Sequence, residues 1–240
     1  MTDWKPLPWD SDFFGFPIGR IDFGDAIDLA AIGRCEQEAA DQGILCLYGT
    51  LDPSDPTASY RLQELGYRFM EAATTLDLQP SEPPIPRPLG LEVRLGTVED
   101  LPQMSGLIEN LAPWSRFAHD PRFGLEAARR LQHAWVERAA TDTSGERSLL
   151  VAEAEGRITA FLTRSRVPVP VIDTIGTTAR GSGDAGYLVE RSREWGAGTM
   201  PLGGPIAARN IAALRFVDAC HYRVTRIRYL FHRWLDEDPA

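Results

Sequence analysis

Apolar and polar residues alternate with a period that changes along the chain, and each change predicts an element. WDSDFFGFPIGRIDF reads as a turn followed by a strand. DAIDLAAIGRCEQEAADQ spaces Ile27, Ala31, Cys35 and Ala39 as on one helix face, and ILCLYGT is a continuous apolar run suited to a buried strand. SYRLQELGY then predicts a short helix and RFMEAATTLDL a further strand, so that residues 1–78 form a small α/β unit. In QPSEPPIPRPLG, residues 79–90, five of twelve residues are proline. Missing backbone donors and a fixed φ favour extended chain there, which reads as a linker.

Beyond it, LEVRLG is a strand, and Thr97 followed by Asp100 predicts a capped start for a helix through LPQMSGLIENL. Leu125, Ala128, Leu131, Trp135 and Ala139 set an apolar stripe on a second helix. SLLVAEAEG and RITAFLTRSRV read as two strands joined tightly at Glu155–Gly156, and VIDTIGTTA as a third. A Gly-rich turn, the helix AGYLVERSREWG, the short strand MPLGGPI, the helix AARNIAALRFVDAC and the strand VTRIRYLFHRWL follow. The order β-α-α-β-β-β-α-β-α-β over 91–240 predicts an α/β domain built on a mixed sheet. LQELGYRFMEAATTLDL and FVDACHYRVTRIRYLFH also echo one another, each running from a helix end through an aromatic into an alternating strand.

Composition narrows the classes of function. At 240 residues, 43% hydrophobic and 25% charged, the chain has the make-up of a globular protein with one or two domains. A net charge of −9 provides no general field for polyanions, which disfavours nucleic acid as a partner while leaving room for a local basic patch. MTDWKPLPWD lacks a basic region followed by an apolar run, and no segment approaches a membrane span, so a cytoplasmic protein is expected. Cys35, Cys46 and Cys220 form no CxxC pair and meet no clustered His; they read as small buried hydrophobes, with neither disulfide nor metal expected.

The most informative chemistry lies in TTARGSGDAGYLVERSREW, where a strand enters a Gly-rich turn that opens a helix. Helix N-terminal amides and the positive dipole end suit a phosphate or pyrophosphate, and glycines allow close approach. An ordinary strand–helix connection can look the same. Arg180, Gly183 and Ala185, however, fit the R-x-x-G-x-A loop of GNAT acyltransferases, with Leu188 at the next apolar position and Asn210 and Ala213 as the N-x-x-A of the following helix. LPWDSDFFGFPIGRI and SRFAHDPRF moreover resemble segments of dTDP-fucosamine acetyltransferase and its relatives, in which a small N-terminal domain precedes a GNAT domain and the acceptor is an amino group on a nucleotide-linked sugar.

The resemblance implies a GNAT fold preceded by a small α/β domain, and acetyl-CoA or another acyl-CoA as co-substrate. It implies a pyrophosphate held by Arg180, Gly181, Ser182, Gly183, Asp184 and Ala185, and a pantetheine arm along Thr177, Thr178 and Ala179, with Asn210 touching that arm or capping its helix. Phe14, Ser115, Arg116, Phe117 and His119 would line the acceptor side, at a cleft between the N-terminal unit and the loop Ser115–Phe123. Transfer would be direct, from thioester to amine, with an acid protonating the thiolate. Val217 stands where the family carries its tyrosine acid, and His221 where a glycine is expected, so Cys220, His221, Tyr222 and His119 become the candidate substitutes. For a base the sequence does not choose among Asp120, Glu153 and Asp173.

An N-acyltransferase for a small amine is thus the leading expectation. The alternatives are a CoA-binding protein of this fold without turnover, favoured by the missing tyrosine, and an acyltransferase for a carrier protein, tRNA or protein amine. Sequence leaves acyl length and oligomeric state open.

Overall fold

The computed structural model describes residues 2–23, 27–54, 57–78, 83–166, 170–178, 181–195, 202 and 204–237. Two units partition the chain: Met1–Ala73 with Ile227–Ala240, and Thr74–Arg226. The first contains β1 (Asp3–Pro6), α1 (Pro8–Phe14), β2 (Ile18–Asp22), α2 (Leu29–Asp41), β3 (Cys46–Leu51), α3 (Ala58–Glu64) and the start of β4 (Arg68–Leu78). The second contains the end of β4, then β5 (Glu92–Leu95), α4 (Leu101–Glu109), α5 (Arg116–His119), α6 (Gly124–Ala140), β6 (Arg147–Ala154), β7 (Arg157–Ser165), β8 (Val171–Thr177), α7 (Asp184–Trp195), β9 (Ile206–Ala207) and α8 (Ile211–Ala219). The last strand, β10 (Tyr222–Trp234), begins in the second unit and ends in the first.

In the first unit the strand order is β1-β2-β3-β10-β4, with β2 and β3 parallel and β1/β2 and β3/β10 antiparallel. Its mixed sheet buries Ile21, Phe23, Leu47 and Phe231 against Ile32 of α2 and Leu62 of α3. The stretch read as a turn plus strand contains a seven-residue helix, α1, before β2. Two turns are too few for a periodicity to register. Its punctuation is nevertheless present: Pro8 opens the helix, and Gly15, at φ 81°, closes it by donating its N–H to the Ser11 carbonyl.

In the second unit β5-β6-β7-β8 form an antiparallel sheet, and β10-β4-β9 run side by side as a separate set. One face of the four-stranded sheet carries Leu149, Val151 and Phe161 against Met104 and Ile108 of α4 and Val136 of α6. The other packs Leu150, Ala152, Ala160 and Leu162 against Leu188 and Val189 of α7, with Val217 and Tyr222 in the same cluster. Each fully buried Leu or Val stabilises by roughly 1.5–3 kcal/mol relative to exposure, which fixes which strand face meets which helices. Thr97 and Asp100 form the expected capping box, and Glu155 and Gly156, at φ 52° and 72°, make the expected tight hairpin between β6 and β7. The helix expected from Ala207 starts later, at Ile211, because the Asn210 side chain accepts the Ala213 N–H at 3.1 Å and caps it there. Of the expected strand MPLGGPI, Met200, Pro201 and Gly203 lie outside the described residues, and β9 is formed by Ile206 and Ala207. The element order from β5 onward is the expected one, with α5 as a one-turn addition.

The described part of the proline-rich segment, 83–90, runs along α7: Ile85 donates its N–H to Glu190 at 3.2 Å and packs on the α7 cluster. Among the described residues no helix is long and apolar enough to cross a membrane.

Candidate functional site

Two bulges shape the second unit's sheet. Ala152 pairs with Ala160 and Glu153 with Ile158, so Thr159 is the extra residue on β7. Thr163 pairs with Thr174 and Arg164 with Ile172, which leaves Asp173 extra on β8. A bulge re-aims side chains and increases local twist. At Thr159 it directs the hydroxyl to the carboxylate of Asp184, the first residue of α7, at 2.6 Å. The Thr159 carbonyl in turn accepts from the Thr178 N–H and the Thr177 hydroxyl, both at 3.1 Å. One residue of β7 thereby ties the end of β8 to the start of α7.

That Thr178–Thr159 bond also sets the direction of the β8 peptide groups. Antiparallel pairs alternate between bonded and non-bonded, so Gly176 faces Phe161 in a bonded pair while Ile175 and Thr177 turn their peptide groups to the outer edge. Among the described residues β8 is the edge strand of its sheet and β9 the edge of the other set, and one parallel bridge, Ile172–Leu202, joins this margin of β8 to the segment leading into β9. Past that bridge the two edges belong to different sheets. Gly176 is required where it stands: a Cβ there would lie 2.3 Å from the Phe161 ring.

At the end of β8 the chain turns through Gly181 and Gly183, at φ 82° and 87°, a left-handed backbone that side chains rarely adopt. The first backbone bond of the α7 turn runs from the Tyr187 N–H to the Gly183 carbonyl, so the amides of Ala185 and Gly186 precede the ladder and point along the axis into the turn. The Ser182 hydroxyl accepts the Asp184 N–H at 3.2 Å. Such an array of amides at a helix start suits an anion. Arg180, expected in the phosphate loop, and Ala179, expected along the pantetheine arm, lie outside the described residues.

The loop Ser115–Phe123 contains α5. Ser115 caps it by accepting the Phe117 N–H, and Phe117, 4% exposed, stands edge-on to Phe123 at 5.0 Å with the Arg116 guanidinium 4.6 Å over its ring. The Pro113 carbonyl then links this loop to the start of α8: it accepts from Arg209 at 3.2 Å and from Nε2 of the exposed His119 at 3.1 Å. Arg209 immediately precedes Asn210, and its guanidinium lies 5.4 Å from the Trp114 ring. His119 is thus brought to the β9–α8 corner.

The other candidate acids sit differently. Cys220 and Tyr222 are 2% and 1% exposed, inside the cluster beneath α7, and a Cβ on Gly186 would lie 3.8 Å from the Cys220 sulfur. Burial pushes the Cys220 thiol up to about 12 and raises the Tyr222 phenol as well. Val217 is 2% exposed in the same cluster. His221 is half-buried in left-handed backbone at φ 68°. Of the carboxylates, Asp120 is fully buried and accepts the Arg122 N–H, Glu153 lies 3.2 Å from Arg94, and Asp173 is the β8 bulge. Phe14, in the first unit, is packed edge-on to Phe13 at 4.9 Å. Sequence reading missed Thr159, Ile175, Gly176 and Arg209; a lone glycine inside a strand pattern was the one available signal.

No protein-family model matches the chain, and no curated protein matches it. Solved structures do. A conserved protein of unknown function from Staphylococcus epidermidis is similar over 95% of this chain and 88% of its own, with a TM-score of 0.66 at 12% identity. A GCN5-related N-acetyltransferase from Sphaerobacter thermophilus matches over 99% and 78%, with a TM-score of 0.62 at 15% identity. A tandem GNAT protein from the clavulanic acid biosynthesis pathway matches over 93% and 77%, with a TM-score of 0.55 at 14% identity. At these identities the likeness establishes the fold, which is that of the GCN5-related N-acetyltransferases.

Proposed function

We propose that this chain is an acyl-CoA-dependent N-acyltransferase acting on the amine of a small molecule. The observation that carries the reading is the divergence of β8 and β9 into different sheets beside a glycine turn that opens α7. The amides from Gly181 to Ala185 would hold the pyrophosphate, and the outward peptide groups of Ile175 and Thr177 would pair with the pantetheine arm. The bound thioester supplies an electrophilic carbonyl and a thiolate leaving group. An N–H on the outer edge of β8 is suited to stabilise the oxyanion as the amine attacks.

A thiolate leaves with far less help than an alkoxide, so the proton donor has a modest task, worth about 100- to 10,000-fold. Among the four candidates we assign the role to His119, which sits at the β9–α8 corner, whereas Cys220 and Tyr222 are enclosed by apolar side chains. The resemblance of LPWDSDFFGFPIGRI and SRFAHDPRF to nucleotide-sugar N-acetyltransferases supports an amino sugar carried on a nucleotide as acceptor. Incubating the protein with acetyl-CoA and a panel of amines, nucleotide-linked amino sugars included, should release free thiol together with an N-acylated product. A second reading, a CoA binder without turnover, rests on Val217 being buried where the family places its acid. Tight CoA binding with no product from any donor–amine pair would select it.

A further inference from the structure

The head of β10 lies in the open: Arg223, Val224, Thr225 and Arg226 are all exposed, so neither face of the strand is covered there. On one side runs β4, where the Thr225 hydroxyl donates to the Thr75 carbonyl at 3.4 Å. On the other side β3 pairs with β10 only from Tyr229 onward, so among the described residues no strand covers the edge ahead of it. Leu235, just past the strand, donates its N–H to the Leu45 carbonyl, which sets the odd-numbered residues toward the β3 side. Followed back along β10, the peptide groups of Arg223 and Thr225 therefore point to the uncovered edge.

These residues share a groove with α8. The helix presents Ile211, Leu214, Arg215 and Asp218, spaced as neighbours on one face, and with Leu76, Tyr222 and Val224 they enclose about 270 Å³. That is less than the roughly 300–1,000 Å³ of a small-molecule pocket, and its apolar rim is bare, with Ile211 and Val224 52% and 50% exposed. Asp218 is held by Arg223 at 2.5 Å. Among the described residues no carboxylate pairs with Arg215 or with Arg226, which stands two residues beyond Val224 on the same strand face.

We propose that the head of β10 and the groove beside it dock an extended, acidic segment of a partner protein by strand addition. An extended backbone matches the row of N–H and C=O groups that Arg223 and Thr225 turn outward. Alternate side chains of an added strand fall on one face, so an apolar residue set beside Val224 and α8 is followed, two residues along, by one opposite Arg226. A carboxylate is favoured at that second position. The recognised pattern is therefore apolar-x-acidic. A second copy of this chain fits poorly: antiparallel self-pairing about Val224 and Thr225 would set Arg223 of one copy against Arg226 of the other, and like charges directly opposite destabilise a strand pair. Docking does not depend on acyl transfer.

Calorimetric titration of the full chain with an end-capped synthetic peptide that repeats Thr-Val-Thr-Glu twice tests the proposal, because Val and Glu alternate on one face of it. Saturable binding is expected, at least tenfold tighter than for the same peptide with Lys in place of Glu. Of two peptides N-methylated at alternating positions, the one whose missing donors face β10 should lose at least tenfold. Arg226→Glu should turn the preference toward the Lys peptide, and Ile211→Ser should weaken both; each side chain is exposed, so both variants should fold. Bound peptide should also slow hydrogen exchange at the Arg223 and Thr225 amides. Absence of saturable binding overturns the proposal, as does equal affinity for the Glu and Lys peptides or an unaltered preference in Arg226→Glu. Dimerisation that protects the same two amides without peptide would overturn it too, by assigning the edge to a second copy.

Discussion

Gly66 and His221 hold the same position in two helix-to-strand corners, and both take left-handed backbone, at φ 84° and 68°. Each follows a helix, α3 or α8, and donates its N–H back three residues, to Gln63 and Asp218 respectively. Each precedes a tyrosine, Tyr67 or Tyr222, that is 1% exposed at the head of β4 or β10. Glycine adopts this conformation at no steric cost; histidine does not.

His221→Gly is accordingly expected to stabilise the chain, by about 1 kcal/mol after allowing for the greater freedom of glycine when unfolded. Thermal unfolding of the full chain reads this as a rise of a few degrees. Unchanged acyl transfer in the same variant would remove His221 from the candidate acids, and a loss of at least about 100-fold would restore it.

His119→Ala should lower the turnover number by about 100-fold or more while sparing CoA affinity. Cys220→Ala and Tyr222→Phe should leave turnover near normal and cost stability instead, because both side chains fill a packed cluster. The reverse substitution, Val217→Tyr, overpacks a position that is 2% exposed and should cost about 1–3 kcal/mol, so its kinetics must be read alongside its melting temperature. Normal turnover in His119→Ala would leave water or another group as the proton donor.

Gly183→Val should weaken CoA binding at least tenfold, since φ 87° strains a β-branched residue and the new Cβ meets Pro88 at 3.3 Å. The matched control is Gly106→Val in α4, an exposed position with nothing within 4 Å of the added carbon. Calorimetry with CoA compares the two. Equal affinity in both would remove the glycine turn from the binding site.

Acid should weaken the second unit through Asp100. Its bonds from Arg94, the largest contribution, and from the Thr97 backbone hold its carboxyl below the ordinary aspartate value. A carboxyl lowered in the folded state stabilises above its unfolded pKa, near 3.9, and that contribution fades as pH falls through the folded value. Asp100→Asn should therefore reduce stability at pH 7 and flatten the decline below about pH 4, measured by denaturant unfolding across pH.

Periodicity in the sequence determined most elements of the second unit, from the capping box at Thr97 to the hairpin at Glu155–Gly156, because those signals are local and each fits within one helix or turn. The glycine turn and Asn210 were legible for the same reason. The seven-residue α1 was not, being shorter than the window over which an apolar stripe repeats. Tertiary structure alone decided that β10 is shared by two units and that Thr159 is a bulge reaching Asp184. It also decided that Pro113 joins His119 to Arg209. These follow from strand register and from contacts between residues far apart in the chain. A pattern of apolar positions gives each strand its face, but the missing register step that aims Thr159, and the burial that sets Cys220 and Tyr222 apart from His119, exist only once the elements pack.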